Sequence, residues 1–248
     1  MRMIMGNSFC GLSARAMGLL LVVCAGLLSL QAEDDPFKAA LEAARRSHDE
    51  KQLQSLKTEL EQKTAQDPKD ATGYLNLAKV NTYLLDVYEM HKDKKSAVAA
   101  LDKAIDLTLR SIQLNDKSAD AHSLLADLYG RKITYGVAMF AGPKFGPKVK
   151  EENAKAMALD DRNPAVWASL GRQYLMAPKM FGGDVAKAIE SFQKSLALDG
   201  QQDETWVWIA KAFEKQGDKG KAREALQHGL SLNPDSPWVK FSASTLEK

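Results

Sequence analysis

The chain has 248 residues, room for one large domain or two small ones, with 34 Lys and Arg against 32 Asp and Glu. All the acidic residues and all but two of the basic ones lie after Ala32, so residues 33–248 are formally neutral and lack the basic surplus that nucleic-acid binding needs. Both cysteines, Cys10 and Cys24, lie before that point; a chain cut after Ala32 has no disulfide, thiolate metal ligand or cysteine nucleophile.

Arg2 and Arg15 are followed by an uncharged apolar run at 17–30 (MGLLLVVCAGLLSL), then Ala32 and acidic Glu33, Asp34 and Asp35. Positive charge, apolar run and small residue in that order predict a secretory signal peptide over 1–32 and an exported protein, periplasmic or extracellular. The run is shorter than the roughly 20 residues of a spanning helix, so no integral membrane segment is expected after cleavage. Cys24 follows Leu21, Val22 and Val23 rather than a small residue, and cutting there would leave apolar 25–30 dangling. Lipoprotein anchoring through Cys24 is therefore not expected.

Residues 36–66 read as an irregular helical pair. Beyond them, five short phrases recur, centred on Asp67, Asn115, Asp160, Asp199 and Asn233, at spacings of 48, 45, 39 and 34. They divide the chain into units near 71–118, 119–163, 164–202 and 203–236, with a capping helix over 235–247 carrying Trp238, Val239, Phe241 and Leu246. In the last unit, Trp206, Ile209, Ala210 and Phe213 mark one helix face at i, i+3, i+4 and i+7. Gly217 breaks that helix, Ala222, Leu226 and Gly229 mark the next, and Pro234 stops it. None of the eight prolines is placed inside a helix by this reading.

These residues resemble the tetratricopeptide repeat, a 34-residue helix-turn-helix unit. Trp167, Leu170, Gly171, Tyr174, Ala188 and Phe192 repeat the signature in the third unit. His122, Leu125, Ala126, Tyr129 and Ala156 do so in the second, and Tyr74, Leu77, Ala78 and Ala104 in the first. The resemblance implies an all-α, right-handed α-solenoid of such repeats with a C-terminal capping helix. It also implies a concave groove lined by first helices, with Lys79, Tyr83, Asp127, Arg131, Arg172, Met176, Lys211 and Lys215 facing a partner. Trp208 would stand one place from groove-facing Val207. Such a groove suits an extended protein or peptide segment with acidic and apolar side chains. The subfamily that grips chain-terminal carboxylates requires Lys and Asn where Leu75 and Lys79 stand, so that activity is not implied.

The extra residues fall between the first and second helices of a unit: around 87–96, 131–149 and 177–184. Equivalent insertions in stacked repeats emerge on one edge. Pro143-Lys144-Phe145-Gly146 and Pro178-Lys179-Met180-Phe181-Gly182 share wording. Phe145 and Phe181 are expected on neighbouring rim loops, either as anchors for a partner or as plugs tucked beneath their loops. Asp184, directly before Val185, is expected to cap a helix rather than ligate an ion, because no second carboxylate or histidine stands nearby.

The four histidines show no ligand spacing, and neither a His-Glu-x-x-His nor a Gly-x-Ser-x-Gly motif occurs. His122 reads as a packing residue, and Glu151 with Glu152 as a solvated helix start. No catalytic residue, metal site or cofactor is expected. The primary expectation is an exported, non-catalytic scaffold that binds a protein. The Pro-Lys-Met-Phe-Gly-Gly-Asp loop behind a leader is also similar to the exported T-component proteins of TRAP transporters. That resemblance implies association with a substrate-binding protein, or an apolar small ligand held in a pore near Leu175 and Met176.

Overall fold

The computed structural model describes residues 35–246; the leader expected at 1–32 lies outside them. The described residues contain eleven α-helices and one short 3-10 turn, and no strand. They are α1 (Lys38–Ser47), α2 (Glu50–Gln66), α3 (Ala71–Met90), α4 (Lys94–Leu114), α5 (Ala119–Tyr135) and α6 (Ala138–Leu159). There follow α7 (Pro164–Met176), the 3-10 turn (Lys179–Phe181), α8 (Val185–Leu198), α9 (Asp203–Gln216), α10 (Lys219–Leu232) and α11 (Pro237–Leu246).

Four helical hairpins, α3–α4, α5–α6, α7–α8 and α9–α10, stack side by side into an all-α solenoid, and α11 packs on the open side of α9. Three of the four hairpins start from a side chain that accepts a free amide of the first turn, an interaction worth about 1 kcal/mol; α9 starts without one. Asp70, Ser118 and Asn163 cap α3, α5 and α7, while Asp93, Asp184 and Asp218 cap α4, α8 and α10. The last two hairpins close where a glycine lets their helices approach. Gly171 faces the fully buried Phe192 ring, and Gly229 lies against the backbone of Asp203. Ser111 and Ser195 donate at 2.8 Å to the carbonyls of Ala71 and Pro164, fastening each second helix to the first residue of its partner.

Two expectations are corrected by α6. Residues 131–149 form no rim loop: α5 runs to Tyr135 and α6 begins at Ala138. Pro143 and Pro147 therefore lie inside a helix. Proline removes one ladder donor and crowds the carbonyl four residues back. Here both prolines are exposed and four residues apart, so the two missing bonds fall on one outward stripe.

The ends of the solenoid meet. Arg45 of α1 reaches Asp203 at 2.7 Å and Glu204 at 3.0 Å, at the start of α9. Arg46 donates to the Leu232 carbonyl at 2.7 Å, and Asn233 donates back to the Arg46 carbonyl at 3.0 Å. The helical pair α1–α2 thus packs beside α3 and also closes onto the last hairpin.

Candidate binding surface on the inner face

The first helices α3, α5, α7 and α9 run side by side and line the inner face. Their polar side chains pair across neighbouring repeats. Lys79 on α3 meets Asp120 on α5 at 2.9 Å, and Asp86 on α3 meets Arg131 on α5 at 2.6 Å. Arg131 also lies 3.4 Å from Glu89, which accepts from the Tyr135 hydroxyl at 2.7 Å. Asp127 on α5 accepts twice from Arg172 on α7 and once from Ser169 at 2.9 Å.

At α9 the pairing changes from carboxylates to indoles. The Arg172 guanidinium carbon lies 5.7 Å from the Trp208 ring centre. The Lys211 ammonium lies 4.4 Å from Trp208 and 5.4 Å from Trp238, within cation–π range of both. Burial, with Arg131 close by, lowers the pKa of Lys211. Trp238 stacks on His48 at 6.2 Å, and His48 Nε2 stands 3.9 Å from Asp86. That distance is an ion-pair contact, not a hydrogen bond, and neither ring nitrogen of His48 has a hydrogen-bond partner. His48 holds a left-handed backbone (φ 45°), unusual for a residue with a Cβ, as the last turn of α1 ends. Burial disfavours the charge of His48, but Asp86 and Glu204 outweigh it and raise its pKa above the ordinary 6.5. Burial also opposes ionisation of Asp86, yet Arg131 and His48 hold its carboxyl below the usual range.

The proposed groove residues are thus brought together on one face, but mostly as partners of each other. Lys79, Asp127, Arg131 and Arg172 are engaged in ion pairs, and Lys211 by two indoles. Lys215 donates to the Leu175 carbonyl at 2.5 Å. The expected row of cations free for an acidic peptide is corrected: its charge is matched by Asp127, itself among the expected groove residues, and by Asp86 and Asp120, which the repeat pattern did not single out. Val207 is also corrected, being fully buried in the core, while Trp208 carries the inner face. Leu175 is buried and Met176 exposed, so the two form no common apolar wall.

One part of this face stays open. A cavity of about 370 Å³ lies where α1, α3 and the loop before α9 converge. Its walls include Lys38, Leu41, Glu42 and Arg45 of α1, Lys79 and Tyr83 of α3, and Asp199, Gln201 and Gln202.

The rim residues separate. Phe145 sits inside α6, half-buried, with its ring 5.6 Å from that of Tyr129, so it belongs to the core and not to a loop. Phe181 lies in the 3-10 turn and is exposed. Asp184 accepts from the amides of Ala186 at 3.0 Å and Lys187 at 3.1 Å. Gly182 has φ 92°, and a Cβ at Gly183 would meet the Ala177 carbonyl oxygen at 1.8 Å, so the turn itself requires both glycines. Glu152 is not a solvated helix start: it is buried in α6, 2.5 Å from His122 Nδ1 and 3.0 Å from Lys155. His122 Nε2 is 3.0 Å from the Asp116 carbonyl, so this histidine is a buried polar joint as well as a packing residue. No group of three or more His, Cys, Asp or Glu able to hold a metal occurs among the described residues.

The tetratricopeptide repeat family model matches residues 182–243. A solved thermophilic tetratricopeptide protein of Thermus thermophilus superposes with a TM-score of 0.64 at 15% identity, covering 85% of this chain and 98% of its own. The crystal structure of PilF from Pseudomonas aeruginosa matches with a TM-score of 0.44 at 21% identity, over 73% of this chain and 69% of its own. No curated protein matches in sequence.

Proposed function

We propose, from the premise that this chain is a tetratricopeptide-repeat protein, that it is a non-catalytic scaffold which receives a segment of a partner protein at the open mouth of its inner face. The observation that carries this reading is the 370 Å³ cavity between α1 and α3, where Lys79 and Tyr83 of the repeat groove remain on a solvent-open wall. Lys79 is paired with Asp120 here, as the other groove charges are paired among themselves, but the space beside it is not filled by another side chain or by α11. The cavity wall carries Lys38 and Arg45 together with Glu42 and Asp199, which suits a polar segment bearing both charges. Export belongs to the same proposal and is supported by the order of charge, apolar run and small residue in 1–32.

A photo-crosslinking residue at Lys38 tests the site, with Lys103 on α4 as the control. A discrete adduct with one protein from Lys38 and none from Lys103 is expected. Equal adducts at both positions, or none at Lys38, would remove this mouth as the binding site. Mass spectrometry of the native chain tests export: the first residue is expected at Glu33.

A further inference from the structure

We infer that the edge of the solenoid where α5 and α7 end is a docking surface for an anionic phospholipid bilayer. The register of the repeats brings the two ends together. Contacts between α5 and α7 join Asp120 to Asn163, Ser123 to Ser169 and Asp127 to Arg172. At that offset Met176, the end of α7, lies level with Arg131, one turn before the end of α5, and the Lys179–Phe181 turn follows it. The turn also approaches α6: a Cβ at Gly182 would stand 3.7 Å from the Lys150 ammonium.

This edge is apolar at its tips and basic around them. Val137, Met139, Phe140, Met180 and Phe181 are between 56 and 82% exposed. Exposed apolar clusters of this kind mark protein or membrane contact sites. Around them Lys144, Lys148, Lys150 and Lys179 are exposed. Lys144 and Lys148 lie over the Phe145 ring at 5.2 and 5.9 Å. No carboxylate occurs between Asp127 and Glu151, or between Asp161 and Asp184. That local surplus stands out because residues 33–248 are neutral only when taken as a whole.

The occupant must accept short apolar tips and supply negative charge across a broad front. A bilayer interface with anionic headgroups does both: Met and Phe enter the acyl boundary while Lys stems reach back to phosphates. Nothing in this arrangement requires the chain to span, and no described helix is long and apolar enough to do so. The inference is independent of the proposed partner site, which is lined by α1, the middle of α3 and the loop before α9.

Flotation of residues 35–248 with vesicles tests it. This segment forms its own compact unit and includes all four buried clusters. It also omits the leader, whose apolar run would bind lipid by itself. Binding to phosphatidylglycerol–phosphatidylcholine vesicles is expected to exceed binding to phosphatidylcholine alone by about tenfold or more, and to fall in high salt. Phe140→Ser with Met180→Ser, and separately Lys150→Glu with Lys179→Glu, should each reduce it about tenfold at unchanged melting temperature. Equal binding by wild type and both variants, or equal binding to neutral vesicles, overturns the inference. So does an absence of vesicle binding together with a dimer in sedimentation that Phe140→Ser dissociates; the occupant would then be a second copy of this chain.

Discussion

Arg172 on α7 grips Asp127 on α5 through both Nε and a terminal nitrogen, while its guanidinium carbon lies 5.7 Å from the ring of Trp208 on α9. One side chain therefore joins three successive first helices. Removing a single partner of a largely desolvated pair leaves the other charge uncompensated, which costs more than the pair contributes when intact. Arg172→Glu is expected to destabilise the fold by about 2–4 kcal/mol in urea unfolding. Exchanging the pair, with Asp127→Arg added, should recover a large part of that loss. If the single variant unfolds like wild type, Arg172 is a surface charge and not a joint.

Gly171 makes a prediction of the opposite kind, from crowding. A Cβ there would stand 2.5, 2.6 and 2.9 Å from atoms of the Phe192 ring, and Phe192 is fully buried. Alanine normally stabilises a helix over glycine by about 0.5–1 kcal/mol. Overpacking, at about 1–3 kcal/mol, outweighs that gain. Gly171→Ala should lower the melting temperature, and Phe192→Leu added to it should cost less than the same change in wild type.

The hairpins were legible in the sequence because their information is local. The periodic faces of Trp206, Ile209, Ala210 and Phe213, the caps, and Gly171 against Phe192 all act within one repeat. What the repeat pattern could not show is long-range or irregular. Arg45 meets Asp203 across 158 positions, and α1 carries no repeat signature to announce the contact. Charge matching on the inner face was hidden for the same reason: Asp86 and Asp120 each meet a cation one repeat later or earlier, and a unit read alone displays only its own cation. Pro143 and Pro147 misled because proline was read as a helix boundary. It is tolerated here by exposure of the stripe it occupies.

Closure of the solenoid is open to measurement through Arg45. Asp203 is almost completely buried, and burial opposes its ionisation; Arg45, helped by Asn233, nevertheless holds its pKa below the usual range. Arg45→Ala would leave that carboxylate to Asn233, which donates at 2.9 Å. The variant should lose about 2–4 kcal/mol. Its radius of gyration by small-angle scattering should rise as α1 separates from α9. An unchanged radius with full stability would mean the ends are held by other contacts.

The His48–Asp86 contact gives a pH dependence whose sign follows from the two shifts. The folded pKa of His48 is raised, so its contribution is complete below the unfolded value near 6.5 and is lost as pH rises through the folded value. The folded pKa of Asp86 is lowered, so its contribution is complete above the unfolded value near 3.8 and is lost as pH falls through the folded value. The pair therefore stabilises most between about pH 4 and 6.5. Melting temperature should decline from pH 6 towards 8, and His48→Gln should flatten that decline. A slope identical in the variant would assign the pH dependence to other groups.

Phe145 and Phe181 share a sequence phrase but differ in surroundings, and truncation should separate them. Phe145 packs on Tyr129 beneath the stems of Lys144 and Lys148, as part of the cluster that also contains Leu125, Leu128 and Val149. Deleting a fully buried phenyl ring costs about 3–5 kcal/mol; a half-buried one should cost about 2–3. Phe181 is 56% exposed at the tip of the 3-10 turn, whose shape is set by Gly182, Gly183 and the backbone bond from the Gly183 amide to the Pro178 carbonyl at 3.0 Å. Phe181→Ala should therefore shift stability by no more than about 0.5 kcal/mol. Thermal unfolding of the two variants side by side is the measurement. A large loss at Phe181 would make it a plug and would remove it from the lipid-facing edge, whereas a neutral Phe145→Ala would mean that Tyr129 and Val149 close the gap without it.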